Sequence, residues 1–452
     1  MATESPSKTW KERLLYTQTS DDRSRMVAVV NNAILHLHPS NVPAPAIRFS
    51  YTWGLGGVAT VLAAMLGLTG LLLMFRYDAR VDYAYTSIQV LETQVMFGAL
   101  FRAVHHWSAN LLVVTAFLHL LRVFFTASYK QGRTMNWLIG IALLVLVLAA
   151  NFTGYLLPWD QLAYWAITVS TTLLSYIPQI GEWLSRFLLG GPQVGQGALS
   201  NFFALHVVVI PLILVSMMAY HFWKVRKNGG LSQPIQKEGV RVERLTTIPH
   251  LVRREVAVGL AVLAAVITYA MWVPAPLQQI ANPLHSPNPA KSAWYFAGLQ
   301  ELLLHMHPLS AIGLVALVLL GLISLPWLDR KAGDIGLYFR SPVGKLTALI
   351  GAVTAAYLIP ALVVLDEYWL DLPGALPQTP DTVTSGWLPF IFSLLALLAI
   401  YGGLRLVRFR GRKANHSEAL LGLFTFLMTG LVVLTIIGVF FRGANMALVL
   451  SL

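Results

Sequence analysis

Residues 102–123 read RAVHHWSANLLVVTAFLHLLRV, an apolar stretch with a histidine near each end. His105 and His119 are fourteen residues apart. At about 100° and 1.5 Å per residue, that offset places both on one helix face, about 21 Å apart along the axis. Because about 20 apolar residues cross a membrane as a helix, the stretch predicts a spanning helix with a histidine at each of two depths.

The chain around this stretch is apolar enough to cross a membrane many times. Of its 452 residues, 56% are hydrophobic and 12% are charged, about half the charged share of a soluble domain. We therefore predict an all-α polytopic membrane bundle of about nine transmembrane helices, with four of them forming the front. The candidate spans are 49–75, 103–124, 136–157, 202–223, 255–274, 309–328, 344–365, 387–407 and 419–441.

The net charge of +12 predicts membrane orientation and no nucleic-acid partner, because the basic residues fall in connectors between spans. Most lysines and arginines follow the second, fourth, sixth and eighth spans, whereas the connector after the seventh carries only acids. The N-terminal segment lacks the apolar core of a signal peptide. We therefore predict a cytoplasmic N-terminus and a C-terminus on the outside.

The fourth span supplies a second histidine pair. His206 and His221 are fifteen residues apart, so they also share one face, at a rise of about 22.5 Å. The second and fourth spans run in the same direction, which sets His105 level with His206 and His119 level with His221. Facing helices hold bundle cofactors in this way, and haem iron with two axial imidazoles carries electrons. The pattern predicts two haems at two depths.

Arginines and glycines flank these histidines at the same depths. Arg102 precedes His105 by three residues and Arg122 follows His119 by three, where each would meet a haem carboxylate. Four glycines in pairs fourteen residues apart would let a flat macrocycle approach the backbone: Gly56 and Gly70 on the first span, and Gly140 and Gly154 on the third. Singly, such residues more often serve helix packing, but their shared spacing over four helices favours haem.

The chain contains no cysteine, which excludes disulfides, thiolate metal sites and thioether-linked haem. The predicted cofactors are therefore two non-covalent b haems. Their predicted iron ligands are His105 with His206 and His119 with His221.

These stretches resemble cytochrome b of the quinol–cytochrome c oxidoreductases, including the photosynthetic cytochrome bf complexes. The resemblance rests on residues 102–123, on NFTGYLLPWDQLAYWA at 151–166 and on SNFFALHVVVIPLILVSMMAYHFWKVRKNGG at 200–230. It suggests four parts: a cytoplasmic segment (1–48), a four-helix di-haem domain (49–230), a three-helix quinol-pocket domain (231–375) and two additional helices (376–452).

The resemblance implies a Q cycle coupled to proton translocation. Quinol would be oxidised near the outer surface, where one electron passes to a Rieske iron–sulfur protein and onward to a c-type cytochrome. The other electron would cross both haems to an inner quinone site. The resemblance also implies a homodimeric complex in the lipid of a bacterial-type cytoplasmic membrane.

The outer quinol pocket is implied by resemblance to lie between Pro158–Tyr164 and PAKSAWYFAGLQE at 289–301. Its candidate catalytic residues are Pro158, Trp159, Asp160, Tyr164, Trp294 and Tyr295.

The family's Pro-Glu-Trp-Tyr tetrad is Ser292-Ala293-Trp294-Tyr295 here, so Ala293 replaces a proton-accepting carboxylate. Some base must lie within hydrogen-bond reach of the quinol. We expect Glu301, about two helical turns after Trp294, to take that role, with His305 relaying the proton. The alternative is that Glu301 is a solvated carboxylate.

Asp22 and Arg226 match positions that line the inner quinone pocket in the photosynthetic relatives. Gly54 stands where those relatives attach a further haem through cysteine, which excludes a covalent third haem.

Two other functions remain open. A di-haem membrane anchor could pass electrons between quinone and a dehydrogenase, but it needs no outer pocket. A haem-free proton-coupled transporter could use intramembrane histidines as a relay, and it would be colourless.

Overall fold

The computed structural model describes residues 38–130, 132–233, 242–330 and 334–449, and these are mostly helical. Within those ranges, nine helices are long and apolar enough to cross a membrane, which confirms the predicted fold class. They are α2 (Leu55–Met74), α4 (Gly98–Phe125), α5 (Thr134–Tyr155), α8 (Gln196–Lys227), α9 (Val252–Trp272), α11 (Pro308–Leu328), α12 (Pro342–Tyr368), α14 (Leu388–Leu406) and α15 (His416–Phe440).

In the described part of the chain, six shorter α-helices and two small sheets precede or connect the spans. The helices are α1 (Phe49–Thr52), α3 (Val81–Gln94), α6 (Gln161–Ser175), α7 (Gly181–Leu189), α10 (Trp294–His305) and α13 (Leu372–Ala375). Strand β1 (Asn41–Pro43) pairs antiparallel with β2 (Arg244–Thr246), and β3 (Arg408–Phe409) pairs antiparallel with β4 (Arg412–Lys413). Several spans begin a few residues before the predicted start, because the helix extends beyond the apolar stretch that marks it in the sequence.

The first four spans form the front bundle, in which α2 packs along α4 and α8 packs along α5. Helix α9 closes this bundle against α2 and α4, and Leu62, Val113 and Val266 are buried where the three meet. Chain direction alternates from span to span. We therefore name the two ends of the bundle the His105 side, which includes α6 and α10, and the His119 side.

A cluster of buried charges joins the front bundle to the later helices on the His119 side. Asp329 accepts from Lys130 Nζ at 2.9 Å, from Arg340 Nη1 at 2.8 Å and from the Tyr129 hydroxyl at 2.5 Å. Ser417, in the first turn of α15, donates to the same carboxylate at 3.1 Å. Buried charges need such partners, so this Asp329 cluster fixes two connectors and the start of α15 relative to one another.

Candidate functional site

His105 of α4 and His206 of α8 face each other inside the front bundle. Their ring centroids are 6.1 Å apart and the rings are inclined by 75°. An imidazole nitrogen binds a transition metal at about 2 Å and the ring centroid lies about 1 Å behind it, so two axial imidazoles have centroids about 6 Å apart. The two side chains are therefore placed to hold one metal ion between them.

Hydrogen bonds at the far ring nitrogens orient both imidazoles. His206 Nδ1 lies 2.9 Å from the Ala150 carbonyl, which can only accept, so Nδ1 carries the proton. Thr69 donates its hydroxyl hydrogen to the Met65 carbonyl at 2.7 Å, which leaves its oxygen to accept from His105 Nδ1 at 2.9 Å. Both rings thus keep Nε2 unprotonated, the form that binds a metal.

His119 and His221 form the second pair, at the other end of the same two helices. His119 faces Gly56 and His221 faces Gly140, and His221 Nδ1 is buried with no partner among the described residues. No group of three or more His, Cys, Asp or Glu in the described part of the chain could hold a bare metal ion. Since each pair offers only two ligands, the metal must bring others with it, as haem iron does.

Each of the four glycines faces one histidine. The distances from an added Cβ to the Cε1 atom of the facing ring are 2.5 Å for Gly154 and His206, 3.2 Å for Gly70 and His105, 3.7 Å for Gly56 and His119, and 3.9 Å for Gly140 and His221. Gly154 therefore leaves no room for a side chain and Gly70 leaves little, whereas an added Cβ on the His119 side would make ordinary contacts.

Helix α8 contains one π-helical turn, Leu205–Val209, which includes His206. Pro211 follows within the helix, and in an unbroken α-helix its ring would collide with the carbonyl of Val207. The wider turn takes up one extra residue. This is why an offset of fifteen on α8 matches an offset of fourteen on α4, and Pro211 is the sequence signal for it.

The two predicted arginines differ in their surroundings. Arg122 is buried, its guanidinium lies 4.9 Å from the centre of the Tyr51 ring, and its Nε and Nη2 have no partner among the described residues. This group is open to an anion such as a haem carboxylate. Arg102 instead pairs with Glu92 and donates to the Pro276 carbonyl at 2.7 Å. The prediction that both arginines are open to a carboxylate fits Arg122, whereas Arg102 already has a carboxylate partner.

A cavity of about 210 Å³ lies between α6 and residues 287–303, on the His105 side. Its walls are mostly apolar, with Leu162 and Trp165 from α6 and Phe296 and Leu299 from α10.

Gln300 is a polar residue of this wall that the sequence did not single out. It accepts from the Ser292 amide and donates to the Ala290 carbonyl, both at 2.7 Å, and so ties the preceding loop to α10.

Residues 158–164 support the cavity more than they line it, since Leu162 is their one lining member. Asp160 caps α6 by accepting from the Ala163 amide at 2.9 Å. Its other carboxylate oxygen accepts from the Gln278 amide at 3.1 Å. Trp159 and Tyr164 are buried in a cluster beside it. The prediction that this stretch faces the quinol is therefore corrected to a scaffold role for most of it.

Trp294 and Tyr295 also do not line the cavity. The Trp294 indole donates to Asn110 Oδ1 of α4 at 2.5 Å, and Tyr295 packs against the apolar cluster of α2, α4 and α9. Phe296, one residue later, is the aromatic side chain that reaches the cavity.

Glu301 is fully buried and does not line the cavity. The solvated alternative is therefore wrong, whereas the role of Glu301 as the quinol base stays a prediction. Arg442 donates to it from Nη2 at 2.6 Å and from Nε at 2.9 Å. His305 Nε2 lies 3.1 Å from Glu301, and its Nδ1 lies 2.6 Å from Asp366. Arg442 is 141 residues away in the chain, and nothing in the local sequence indicates the contact.

The charges in this group shift its pKa values in opposite directions. Burial alone would raise the pKa of Glu301, but hydrogen bonds from His305 and Arg442 outweigh burial and hold it below its ordinary value. Burial alone would lower the pKa of His305, but Glu301 and Asp366 outweigh burial and raise it.

Of the two residues predicted to line an inner quinone pocket, the structure describes one. Arg226 is half-buried in the last turn of α8, and Asp22 lies outside the described residues. Their role in an inner site stays a prediction.

A membrane bundle with two half-buried histidine pairs at two depths, a glycine facing each ring and an apolar cavity on one side defines a membrane-embedded electron carrier. The family model "Cytochrome b/b6/petB" matches residues 40–229, and "Cytochrome b(C-terminal)/b6/petD" matches residues 280–361. The chain belongs to the cytochrome b/b6 family. It is accordingly a haem-b-binding integral membrane subunit of an electron-transport complex.

Known relatives match the front of the chain over almost their whole length. Cytochrome b6 of Heliobacterium mobile is 38% identical over 193 residues, which is 43% of this chain and 90% of the relative. Cytochrome b6 of Synechococcus sp. (strain WH7803) is 36% identical over 236 residues, which is 52% of this chain and 100% of the relative. A chain of the "Hyperthermophilic respiratory Complex III" shares the fold, with a TM-score of 0.62 and 22% identity, over 86% of this chain and 91% of that one.

Proposed function

We propose that the chain is the quinol-oxidising subunit of a quinol–cytochrome c oxidoreductase and that it holds two non-covalent b haems. The observation that carries the proposal is the pair geometry: two rings 6.1 Å apart with Nε2 free, and a glycine facing every histidine. When bound, the haems would supply one-electron transfer between the two membrane faces.

The cavity of about 210 Å³ is the proposed quinol site. It is smaller than the pockets of about 300–1,000 Å³ that enclose drug-sized ligands, so it suits a ring-shaped head group whose tail leaves through an open side. Its apolar walls exclude water. The site lies on the His105 side, which makes His105 and His206 the nearer pair.

The described residues that line the cavity include no Asp, Glu or His. The chain therefore positions quinol and excludes water there, while the proton acceptor must enter from the open side. In this proposal a Rieske protein docks at that opening, a c-type cytochrome subunit follows it, and the complex is a homodimer.

The proposed orientation places the His119 side in the cytoplasm of a bacterial-type membrane. The connectors of that side contain Lys130, Arg133, Arg340 and Lys413, and basic connectors stay on the cytoplasmic side. Protons from quinol would then be released outside, and the inner quinone would be reduced near Arg226.

The test is to purify the intact complex and quantify haem per chain by redox difference spectroscopy, together with quinol–cytochrome c reductase activity. We expect two b haems, with one lost in His105→Ala and one in His119→Ala. The matched control is His106→Ala, because this adjacent histidine contacts Trp107 and should leave both haems in place.

The alternatives predict different results. Two haems without quinol oxidation would favour a di-haem membrane anchor. A colourless protein would favour a proton-coupled transporter and would refute the haem assignment.

A further inference from the structure

Helix α15 is one of the more buried spans in the described part of the chain, although residues 362–452 fall beyond both matched family models. In its most apolar stretch 33% of the residues are buried, against 11% in α14. A Cβ on Gly351 of α12 would lie 2.2 Å from the Gly422 carbonyl oxygen of α15. Only glycine allows so close an approach, so the two backbones are in contact.

The C-terminal part of α15 also packs closely against α10. A Cβ on Gly298 would lie 2.7 Å from Thr435 Oγ1, and one on Gly438 would lie 2.8 Å from the Ala297 carbonyl oxygen. Small residues on both helices thus bring their backbones together.

Helix α10 therefore stands between the cavity and α15. Phe296, Leu299, Gln300 and Leu303 form the face that lines the cavity, and their spacing is that of one helix stripe. The opposite face, which carries Ala297, Gly298 and Glu301, meets α15 and the segment after it.

The segment after α15 fastens this opposite face through Arg442. Its guanidinium binds both oxygens of Glu301, and its Nη1 donates to Glu367 of α12 at 2.8 Å. Both Arg442 and Glu301 are buried. A bidentate pair of this kind fixes geometry as well as charge.

Two further contacts hold the loop before α10. Lys291 Nζ donates to the Val439 carbonyl at 2.8 Å, so the charge of this lining residue is directed to α15. Asn288 Nδ2 donates to Asn445 Oδ1 at 2.7 Å.

We propose that α15 and Arg442 are the rear support of the quinol cavity, with Arg442 a positioning residue that fixes α10 through Glu301. This inference rests on the proposed function. In this arrangement Glu301 anchors the wall and does not accept the quinol proton. A carboxylate that accepts two hydrogen bonds from a buried guanidinium favours its ionised form, whereas an efficient base has a pKa near the working pH.

The test uses the intact complex and four variants: Arg442→Gln, Arg442→Lys, Glu301→Gln, and Arg442→Gln combined with Glu301→Gln. Haem per chain reports assembly, and steady-state kinetics separate the KM for quinol from kcat. Arg186→Gln is the matched control, because Arg186 forms an exposed pair with Glu182, and such pairs contribute little.

We expect each single glutamine variant to raise KM about tenfold or more, because it removes one member of the buried Glu301–Arg442 pair and leaves the other with fewer partners. Arg442→Lys should lie between, since lysine keeps the charge but loses the bidentate geometry. The double variant should return to within about threefold of the parent, because neither member of the buried Glu301–Arg442 pair is then left without the other. Simple destabilisation would instead lower the active fraction, and hence kcat, with KM unchanged.

Two results would overturn the inference. If the double variant were as impaired as Glu301→Gln alone, the carboxylate itself would be required. If Arg442→Gln left KM unchanged, the support would have no role in the cavity.

Hydrogen exchange of residues 287–303 gives a readout that needs no turnover. Faster exchange in Arg442→Gln than in the parent would show that Arg442 holds this segment in place, and equal exchange would refute the inference. This holds even if the parent complex carries two haems but oxidises no quinol, a result that would refute the proposed function alone.

Discussion

The glycines that face the histidines allow a graded test of the haem sites. In Gly154→Ala the new Cβ would lie 2.5 Å from His206 Cε1, 2.9 Å from Nδ1 and 3.0 Å from Nε2. Optimal carbon contacts are about 3.5–4.0 Å, so the ring must retreat by about 1 Å. The hydrogen bond from His206 Nδ1 to the Ala150 carbonyl resists that movement.

The expected cost follows from overpacking. Forcing an extra methyl into a filled site costs about 1–3 kcal/mol, which corresponds to about a 5- to 150-fold loss in the affinity of the site for its cofactor. Gly70→Ala, at 3.2 Å, should cost less, and Gly140→Ala, at 3.9 Å, should cost least. The pair on the His105 side is therefore the more sensitive one.

The assay is haem per chain by redox difference spectroscopy, followed during titration with an apo-haem-binding competitor. Gly57→Ala is the control, because nothing lies within 4 Å of a Cβ at that position. Equal haem loss in Gly154→Ala and Gly140→Ala would refute the reasoning. The haem macrocycle, and not the histidine ring, would then determine whether a side chain is tolerated at the glycine.

Three further outcomes are expected. Asp160→Ala removes the cap of α6 and the hydrogen bond from the Gln278 amide, which should lower stability by about 1–2 kcal/mol. We expect a higher KM for quinol with both haems retained, measured by kinetics and spectroscopy on one preparation. The pKa of His305 is raised in the folded protein. Its contribution to stability is therefore complete below the unfolded-state pKa of about 6.5 and is lost as the pH rises through the folded-state pKa. The thermal midpoint of the complex should fall over that pH range, and His305→Gln should make the fall smaller. Asp329→Asn leaves Lys130 with a weakened set of partners in a buried cluster, so denaturant unfolding should show a loss of about 3–5 kcal/mol; a loss below about 1 kcal/mol would contradict the cluster's structural role.

Helix periodicity was enough to predict which histidines and glycines lie at the same depth. The fourteen-residue offset of His105 and His119 determines depth and face together, because both follow from the rise and rotation of one helix. The glycine pairs obey the same geometry, so each was assigned to a depth before any contact was known. A Thr-Gly dipeptide, Thr69-Gly70 and Thr153-Gly154, recurs on the His105 side, and it was an unused signal for the hydroxyl that orients His105.

The cavity proposed for quinol could not be predicted as accurately as the histidine pairs, because its wall depends on contacts between distant parts of the chain. Local periodicity placed Glu301 on the same helix face as Trp294, but Trp294 is the first residue of α10 and turns toward Asn110 of α4. The partner of Glu301 comes from Arg442, after the last span. No spacing rule relates residues 141 apart, so only the packing of α15 reveals the pair.

The replacement of a carboxylate by Ala293 and the burial of Glu301 have a common consequence for the cavity. No described lining residue is acidic or a histidine, so the wall contributes shape, low polarity and position and no proton acceptor of its own. Catalysis by position is sensitive to displacements of about 1 Å. A cavity that works in this way depends on the rigidity of α10, and the glycine contacts and the Arg442 pair that α15 provides supply that rigidity.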